Sequence, residues 1–334
     1  MIFRAATPFD KPAIIELLKK SLGESVIPIT EKFWVWKHEQ NAFGPSFVLL
    51  ALENEDIIGV RAFMQWHWLW NGKIYSAIRA VDTATHPDHQ GKGIFKKLTL
   101  QQVEKCKQQG IHFVFNTPNE QSMPGYLKMG WETQGRMPLK IKLLRPLSLA
   151  YSKFFDEAKY SASLKEDITP VQDWDVSILG LFKNYQQQET GQLRTSVTSE
   201  YVTWRYAHNP LFRYNFFTDK ENYVLIYRIK NHSFTRELRI VDFILLKSNA
   251  TTRIVNSHMK NEVLAFTKTN KIDFISFSGQ QYLASKACFQ WMGIIPVRSL
   301  GPLVTIRNLN MENKFAELLD VKNWNYSLGD MELF

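Results

Sequence analysis

Between His86 and Phe95 the chain reads His-Pro-Asp-His-Gln-Gly-Lys-Gly-Ile-Phe, with two glycines one residue apart where an extended run gives way to a helical pattern. These residue types in this order have a physical use. Glycine admits a tight turn, and the N–H groups that open a helix converge at its positive end, where an anion is favoured. The stretch Gln90, Gly91, Lys92, Gly93, Ile94, Phe95, Lys96 is therefore a candidate seat for the diphosphate of a phosphorylated cofactor, with Lys92, Lys96 and Lys97 adding positive charge. Two common phosphate loops do not fit. A G-x-x-x-x-G-K-[S/T] loop fails because Gly93 follows Lys92, and a G-x-G-x-x-G fingerprint fails because Lys96 stands at the third glycine.

The elements that must position this loop follow from periodicity and turn signals. A strand over 1–7 and helices over 10–22 and 30–39 precede a meander of extended runs at 47–53, 56–70 and 73–86. Asn71-Gly72 between the last two is a hairpin signal. A helix over 94–109, a strand over 111–117, a helix over 123–129 and a closing pair of strands to about 145 complete a mixed sheet flanked by helices. The second helix is expected to start at Ser122, a residue type suited to an N-cap, with Pro124 in its first turn.

After His-Pro-Asp-His, the pattern Gln90-x-x-Gly93-x-x resembles the acetyl-CoA loop of the GNAT acyltransferase superfamily, [Q/R]-x-x-G-x-[G/A]. Phe95 departs from the small final residue. Downstream, Asn119, Tyr126 and Gly130 fall in register with the family pattern N-x-x-A-x-x-x-Y-x-x-x-G-F, with Ser122 for the alanine and Trp131 for the phenylalanine. FRAATPFDKPAIIELLKKSL looks like the family's opening strand and helix, so the resemblance covers residues 1 to about 140.

The resemblance implies amide-forming transfer of an acetyl or other acyl group from acyl-CoA to a primary amine by direct attack. The backbone of residues 91–95 would hold the diphosphate, with Gln90 bracing the loop. The peptide groups of Val81, Asp82, Thr83, Ala84 and Thr85 would pair with the pantetheine arm like an added strand and supply an oxyanion donor. Strand 111–117 would splay from its neighbour to admit the thioester, and Asn119 would touch the pantetheine. Tyr126 would be the general acid toward sulfur, since a phenol with a pKa near about 10 keeps its proton at neutral pH; a ring packed in the core is the plainer role. Because an ammonium cannot attack, a base is required. Asp82 leads, on the expectation that burial raises its pKa, and a satisfied structural carboxylate is the alternative. Glu120, His86 and a water relay are further options.

Charge and composition bound the rest. The 334 residues carry a net charge of +9, 45% hydrophobic and 13% aromatic content, enough for two cores. No basic run interleaved with aromatics marks a nucleic-acid stripe, no run reaches membrane-spanning length, and MIFRAATPFDK lacks a secretory pattern, so a cytoplasmic location is expected. Cys106 and Cys288 show neither metal-ligand spacing nor a disulfide framework, so no metal is expected, and Cys106 reads as a core thiol. Trp66, Trp68 and Trp70 alternate on one strand face and would either wall an acceptor or acyl pocket or pack in the core.

A repeat is also visible. Residues 30–43 align without gaps on 198–211, placing Trp36 on Trp204, and 273–294 echoes 112–131 down to Met-Gly. The expected architecture is α/β, mixed α+β, as two tandem GNAT-like acyl-CoA N-acyltransferase domains: a catalytic one over 1–145, then a connector plus a degenerate copy over 146–334. The run 245–261 has no glycine, hence no phosphate cradle in that copy. Two other functions stay open: a non-catalytic acyl-CoA-binding or scaffold protein, to which Phe95 lends weight, and an aminoacyl-tRNA-dependent amino-acid transferase, against which the phosphate loop speaks. The acceptor is expected to be a small-molecule or sugar amine, its identity and the acyl length open.

Overall fold

The computed structural model describes residues 1–23, 28–147, 172–183, 185, 191–232, 235–247, 250–293, 295–297 and 300–331. The run LSLAYSKFFDEAK (147–159) in the connector, helix-like by its sequence, lies outside these except for its first residue.

The first half builds as its pattern dictates. Strand β1 (Ile2–Ala5) leads through a short turn into α1 (Lys11–Leu22), which buries Ile14, Leu17 and Leu18 at helical spacing and stops at Gly23. Arg4 grips Asp10 through two hydrogen bonds of 2.7 and 2.6 Å, fixing the angle between strand and helix. Helix α2 (Glu31–Trp34) is capped by the Thr30 side chain, which accepts from the Phe33 amide, and runs into a π-helical turn over Val35–Glu39. The meander is β2 (Phe47–Glu53), β3 (Asp56–Trp70) and β4 (Lys73–Thr85), and the β3–β4 hairpin turns at Asn71 and Gly72, both at positive φ as a tight primed turn requires. Next come α3 (Ile94–Gln108), β5 (Phe113–Asn116), α4 (Met123–Lys128), β6 (Glu132–Arg136) and β7 (Leu139–Leu143).

In the second half, β8 (Arg194–Thr195) pairs with β3 at Trp68 and Leu69. It is followed by α5 (Ser199–Val202), β9 (Asn215–Thr218), β10 (Tyr223–Asn231), β11 (Arg236–Leu245), α6 (Thr252–Thr269), β12 (Phe274–Ser278), β13 (Ile295–Val297) and β14 (Leu303–Asn308).

Two mixed sheets result, one in the order β1-β2-β3-β4-β5-β14-β6 and the other β13-β7-β12-β11-β10-β9. In each, a strand from the opposite half inserts between two others, and the first sheet also takes β8 against β3. Strand β14 inserts antiparallel between β5 and β6, and β7 inserts antiparallel between β12 and β13. The closing pair of strands expected before residue 145 therefore does not pair with itself. Backbone bonds from Met137 to Pro302 and from Gly279 to Pro138 carry the chain across, and β7 lands in the second sheet.

The two halves correspond in detail. Thr198 caps α5 by accepting from the Tyr201 amide, as Thr30 does for α2, and a π-helical turn follows over Thr203–Ala207. Trp36 donates its indole N–H to the Trp204 carbonyl and Trp204 returns the same bond, both at 2.7 Å, with the rings stacked 5.2 Å apart. The parallel pairs β4–β5 and β11–β12 occupy matching places, and matching register sets Asp82 on Asp242.

One continuous core joins the inner faces of both sheets, and Trp66, Trp68 and Trp70 are all buried in it. Trp66 donates to Thr195 Oγ1, Trp70 donates to the Gly191 carbonyl, and Trp68 packs edge-on against Phe115, Trp324 and Tyr326. The stripe is core. Its large side chains bury against the second half, which is worth on the order of 3 kcal/mol for each wholly buried ring.

Candidate functional site

The site starts from the end of β4. Strands β4 and β5 pair only at Ala77, Ile78 and Arg79; beyond them β4 continues to Thr85 while β5 ends at Asn116. The sheet opens there into a cleft, as expected of strand 111–117, and β4 past Arg79 has no ladder partner on that side. A β-bulge contributes. Thr83 pairs with Arg61 and Val81 with Ala62, so Asp82 is the extra residue on β4, and a bulge of this kind bends a strand out of register.

Past the cleft the chain makes a short turn at Pro87–His89, N-capped by His86, and enters the glycine loop. Gly91 and Gly93 have φ of 76° and 74°, a left-handed conformation glycine adopts at no steric cost, and a Cβ at either would meet open space. Among the described residues, no acceptor takes the backbone N–H of any of residues 91 to 96. The orphan donors ordinary at the start of a helix thus stand together with those of the loop. The arrangement fits a diphosphate. Lys92 and Lys96 lie exposed beside it, and Lys92 Nζ is 3.4 Å from His89 Nδ1. Gln90 is exposed, with its own amide hydrogen-bonded to the Pro87 carbonyl. The Phe95 side chain does not fill the loop. It turns toward α4, its ring edge-on to Tyr126 at 5.7 Å and 3.2 Å from where a Cβ on Gly125 would stand.

Tyr126 is buried, 4% exposed, between Phe95 and Trp131. Its hydroxyl accepts from Arg61 Nη2 at 2.8 Å. Arg61 and Phe63 face α3 and α4, whereas Ala62, Met64 and Trp66 face the inter-sheet core. Asp82 faces that opposite side, where it meets α2. Lys37 Nζ and His38 Nε2 both lie 2.7 Å from its Oδ2, and His38 Nδ1 lies 2.9 Å from Ser46 Oγ. Burial pushes the Asp82 carboxyl up, but Lys37 and His38 together outweigh that and hold it well below the usual carboxylate range. This reverses the expectation of a raised value: the sequence showed an apolar strand and not the lysine and histidine that the turn after α2 brings to it.

Asn119 is exposed and its Oδ1 accepts from the Ser122 amide at 2.8 Å, so it, rather than Ser122, supplies the side-chain cap for α4. Glu120 is exposed, and His86 is engaged with the Asp88 amide. Cys106 is buried, its thiol pushed up to about 12 by burial, an inert core group. Among the described residues no cluster of three or more His, Cys, Asp or Glu could hold a metal ion, and no helix is long and apolar enough to cross a membrane.

Sequence reasoning missed Lys37, His38, Arg61 and Arg79. A signal existed for two of them: the gap-free repeat sets Lys37-His38 on Arg205-Tyr206, and Tyr206 donates to Asp242 at 2.6 Å just as His38 meets Asp82. Arg61 and Arg79 sit in strands, where nothing local separates a buried arginine from an exposed one. Arg79 donates to the Asp330 carbonyl and to Thr117 Oγ1, both at 2.9 Å, bridging the mouth of the cleft to the C-terminal segment.

A sheet that opens beside a glycine loop leading into a helix defines an acetyltransferase fold. Residues 3–134 match the family described as an acetyltransferase (GNAT) domain. Solved structures extend the likeness over most of its length. A GCN5-related N-acetyltransferase from Anabaena variabilis is 14% identical at a TM-score of 0.62, over 92% of this chain and 73% of that one. Its counterpart from Kribbella flavida is 11% identical at 0.58, over 92% and 71%. Eis1 from Mycobacterium abscessus is 11% identical at 0.55, over 95% and 76%. Identities this low speak for the fold alone. No curated protein sequence matches the chain.

Proposed function

We propose that this chain is an N-acyltransferase that moves an acetyl or other acyl group from acyl-CoA to a primary amine on a small molecule or sugar. The observation that carries the reading is the six unengaged N–H groups of residues 91–96 at the mouth of a splayed β4–β5 pair. The loop would hold the diphosphate, and the open edge of β4 from Val81 through Thr85 would pair with the pantetheine and offer an N–H to the thioester oxygen. Asn119, already spent on the α4 cap, would touch the arm from its exposed side.

Direct attack asks for an acid and a base on opposite sides of the carbonyl. Tyr126 lies on the α3–α4 side of the sheet and Asp82 on the α2 side. The amine nitrogen bonds to the carbonyl carbon, the C–S bond breaks with its electron pair on sulfur, and Tyr126 gives that sulfur its proton. The proton shed by the nitrogen passes to solvent on the α2 side. There the Asp82 carboxylate is too well stabilised by Lys37 to take it outright at neutral pH, so it works by orienting His38 and holding a positive nitrogen.

A second reading has one observation behind it. The Phe95 ring fills the space between the first turn of α3 and α4, beside Tyr126, which suits a protein that binds acyl-CoA without turning it over. Mixing acetyl-CoA with a panel of amines and following free thiol separates the two. Thiol release that depends on amine supports the transferase, and binding without release supports the alternative.

A further inference from the structure

Arg61 is wholly buried on β3, and among the described residues no carboxylate pairs with it. Its Nη2 bonds to Tyr126, while Nε and Nη1 have no partner. Around it stand only aromatic faces: the guanidinium carbon is 4.6 Å from the Phe63 ring, 5.4 Å from Tyr126 and 5.8 Å from Phe95 in the first turn of α3. Three ring faces and one phenol oxygen offset only part of the cost of removing a guanidinium from water. The start of α3 adds a positive helix end nearby. A methionine would fill the same space without a charge and, by the usual comparison of buried ions with apolar isosteres, with equal or greater stability. The fold alone gives no reason for a cation here.

The hydrogen-bond direction gives one. A guanidinium can only donate, so the phenol oxygen is the acceptor in this contact and its own proton must point elsewhere. Among the described residues no acceptor takes that proton. We infer that Arg61 is a positioning residue for acyl transfer: it holds Tyr126 with its O–H free for the departing sulfur, and it balances the negative charge left on the phenol oxygen. The inference rests on the reading of Tyr126 as the acid. In the step itself the nitrogen–carbon bond forms and the nitrogen sheds one proton to solvent, the carbon–sulfur bond breaks with its electron pair on sulfur, the phenol proton passes to sulfur to give the free thiol, and solvent returns a proton to the phenol.

The test compares the full-length chain with Arg61→Met, Arg61→Lys, Tyr126→Phe and the Arg61→Met/Tyr126→Phe double variant, using acetyl-CoA, an amine accepted by the unaltered chain, and thermal unfolding. Absence of turnover in the unaltered chain overturns the acyltransferase reading itself, and this inference with it. Given turnover, Arg61→Met is expected to lower kcat by about 100-fold while KM for acetyl-CoA stays within about twofold and Tm is equal or higher. Arg61→Lys recovers most of the loss, and the double variant is no slower than Tyr126→Phe. Three results overturn the inference alone: an unchanged kcat with a lowered Tm, a loss as large in the Tyr126→Phe background as in the unaltered one, or no recovery with lysine. If Arg61→Met fails to fold, Arg61→Lys against Arg61→Gln reads the same split.

Discussion

Tyr126 and Asp82 lie on two faces of one opened sheet, and their surroundings give them different work. Tyr126→Phe keeps the ring contacts with Phe95 and Trp131 and removes only the hydroxyl. Turnover of acetyl-CoA is expected to fall by about 100-fold, within the usual range for a general acid, with calorimetric affinity for the cofactor unchanged. Asp82→Asn acts differently. It removes the negative charge that Lys37 Nζ meets at 2.7 Å, which costs roughly 3 kcal/mol and shows as a lowered Tm whatever happens to activity. The sign with pH follows from the depressed carboxyl. Its contribution is complete above the unfolded value near about 4 and is lost as pH falls through that value and below, so the Tm gap between Asp82→Asn and the unaltered chain should close in acid. A gap that widened below pH 4 would contradict the ion-pair assignment. The glycine loop could be read from residue types and spacing, and Tyr126 was pointed to by the family resemblance, because each lies in one continuous stretch. The partners of Asp82 could not, because the turn after α2 reaches it only through tertiary packing, and an apolar strand on paper became a carboxylate held by a lysine and a histidine.

The loop between β4 and α3 is the element on which the site depends. Gly93 sits at φ 74° with open space where a Cβ would go, so valine there meets backbone strain rather than a clash. Gly93→Val should cost roughly 1–2 kcal/mol locally and weaken acetyl-CoA binding at least tenfold by turning N–H groups away, as titration calorimetry would show. At the other structural hinge, Trp36 and Trp204 exchange indole-to-carbonyl hydrogen bonds. Trp204→Phe removes one donor and leaves the Trp36 carbonyl unpaired in the core, for an expected loss of roughly 1–3 kcal/mol in chemical denaturation. Most elements followed their sequence signals closely: β2, β3 and the Asn71-Gly72 hairpin fall where alternation and turn chemistry put them. The π-helical ends of α2 and α5 did not show, since a helix pattern does not reveal one widened turn. The fate of β6 and β7 was equally hidden. Short alternating strands specify a face to bury, and the partner is decided by which edge the rest of the fold leaves open.

At the scale of the whole molecule the reciprocal insertion of β7 and β14 binds the halves into one unit, and Trp36 with Trp204 and Asp82 with Asp242 occupy matching places in them. Residues 1–145 made alone would lack β14, exposing the edges of β5 and β6, and are expected to show no cooperative unfolding, whereas the full chain unfolds in one transition. The C-terminal segment adds a pH dependence of its own. Burial, with repulsion from Asp242 adding to it, pushes the Asp330 carboxyl up to about 7, so the folded state holds a proton that the unfolded chain has released. This term therefore lowers stability as pH rises from about 4 to about 7. Asp330→Asn should flatten the fall in Tm between pH 5 and pH 8, and an unchanged slope would remove Asp330 as its source.

Calorimetric titration of the full chain with acetyl-CoA bears most directly on the site, run in parallel with Gly93→Val. The geometry predicts one binding event in the micromolar range that releases heat in the unaltered chain and is lost or weakened tenfold in the variant. No heat and no affinity at millimolar acetyl-CoA, with the protein folded by its thermal transition, would show that the loop does not hold the diphosphate and that the acyl-transfer account is wrong.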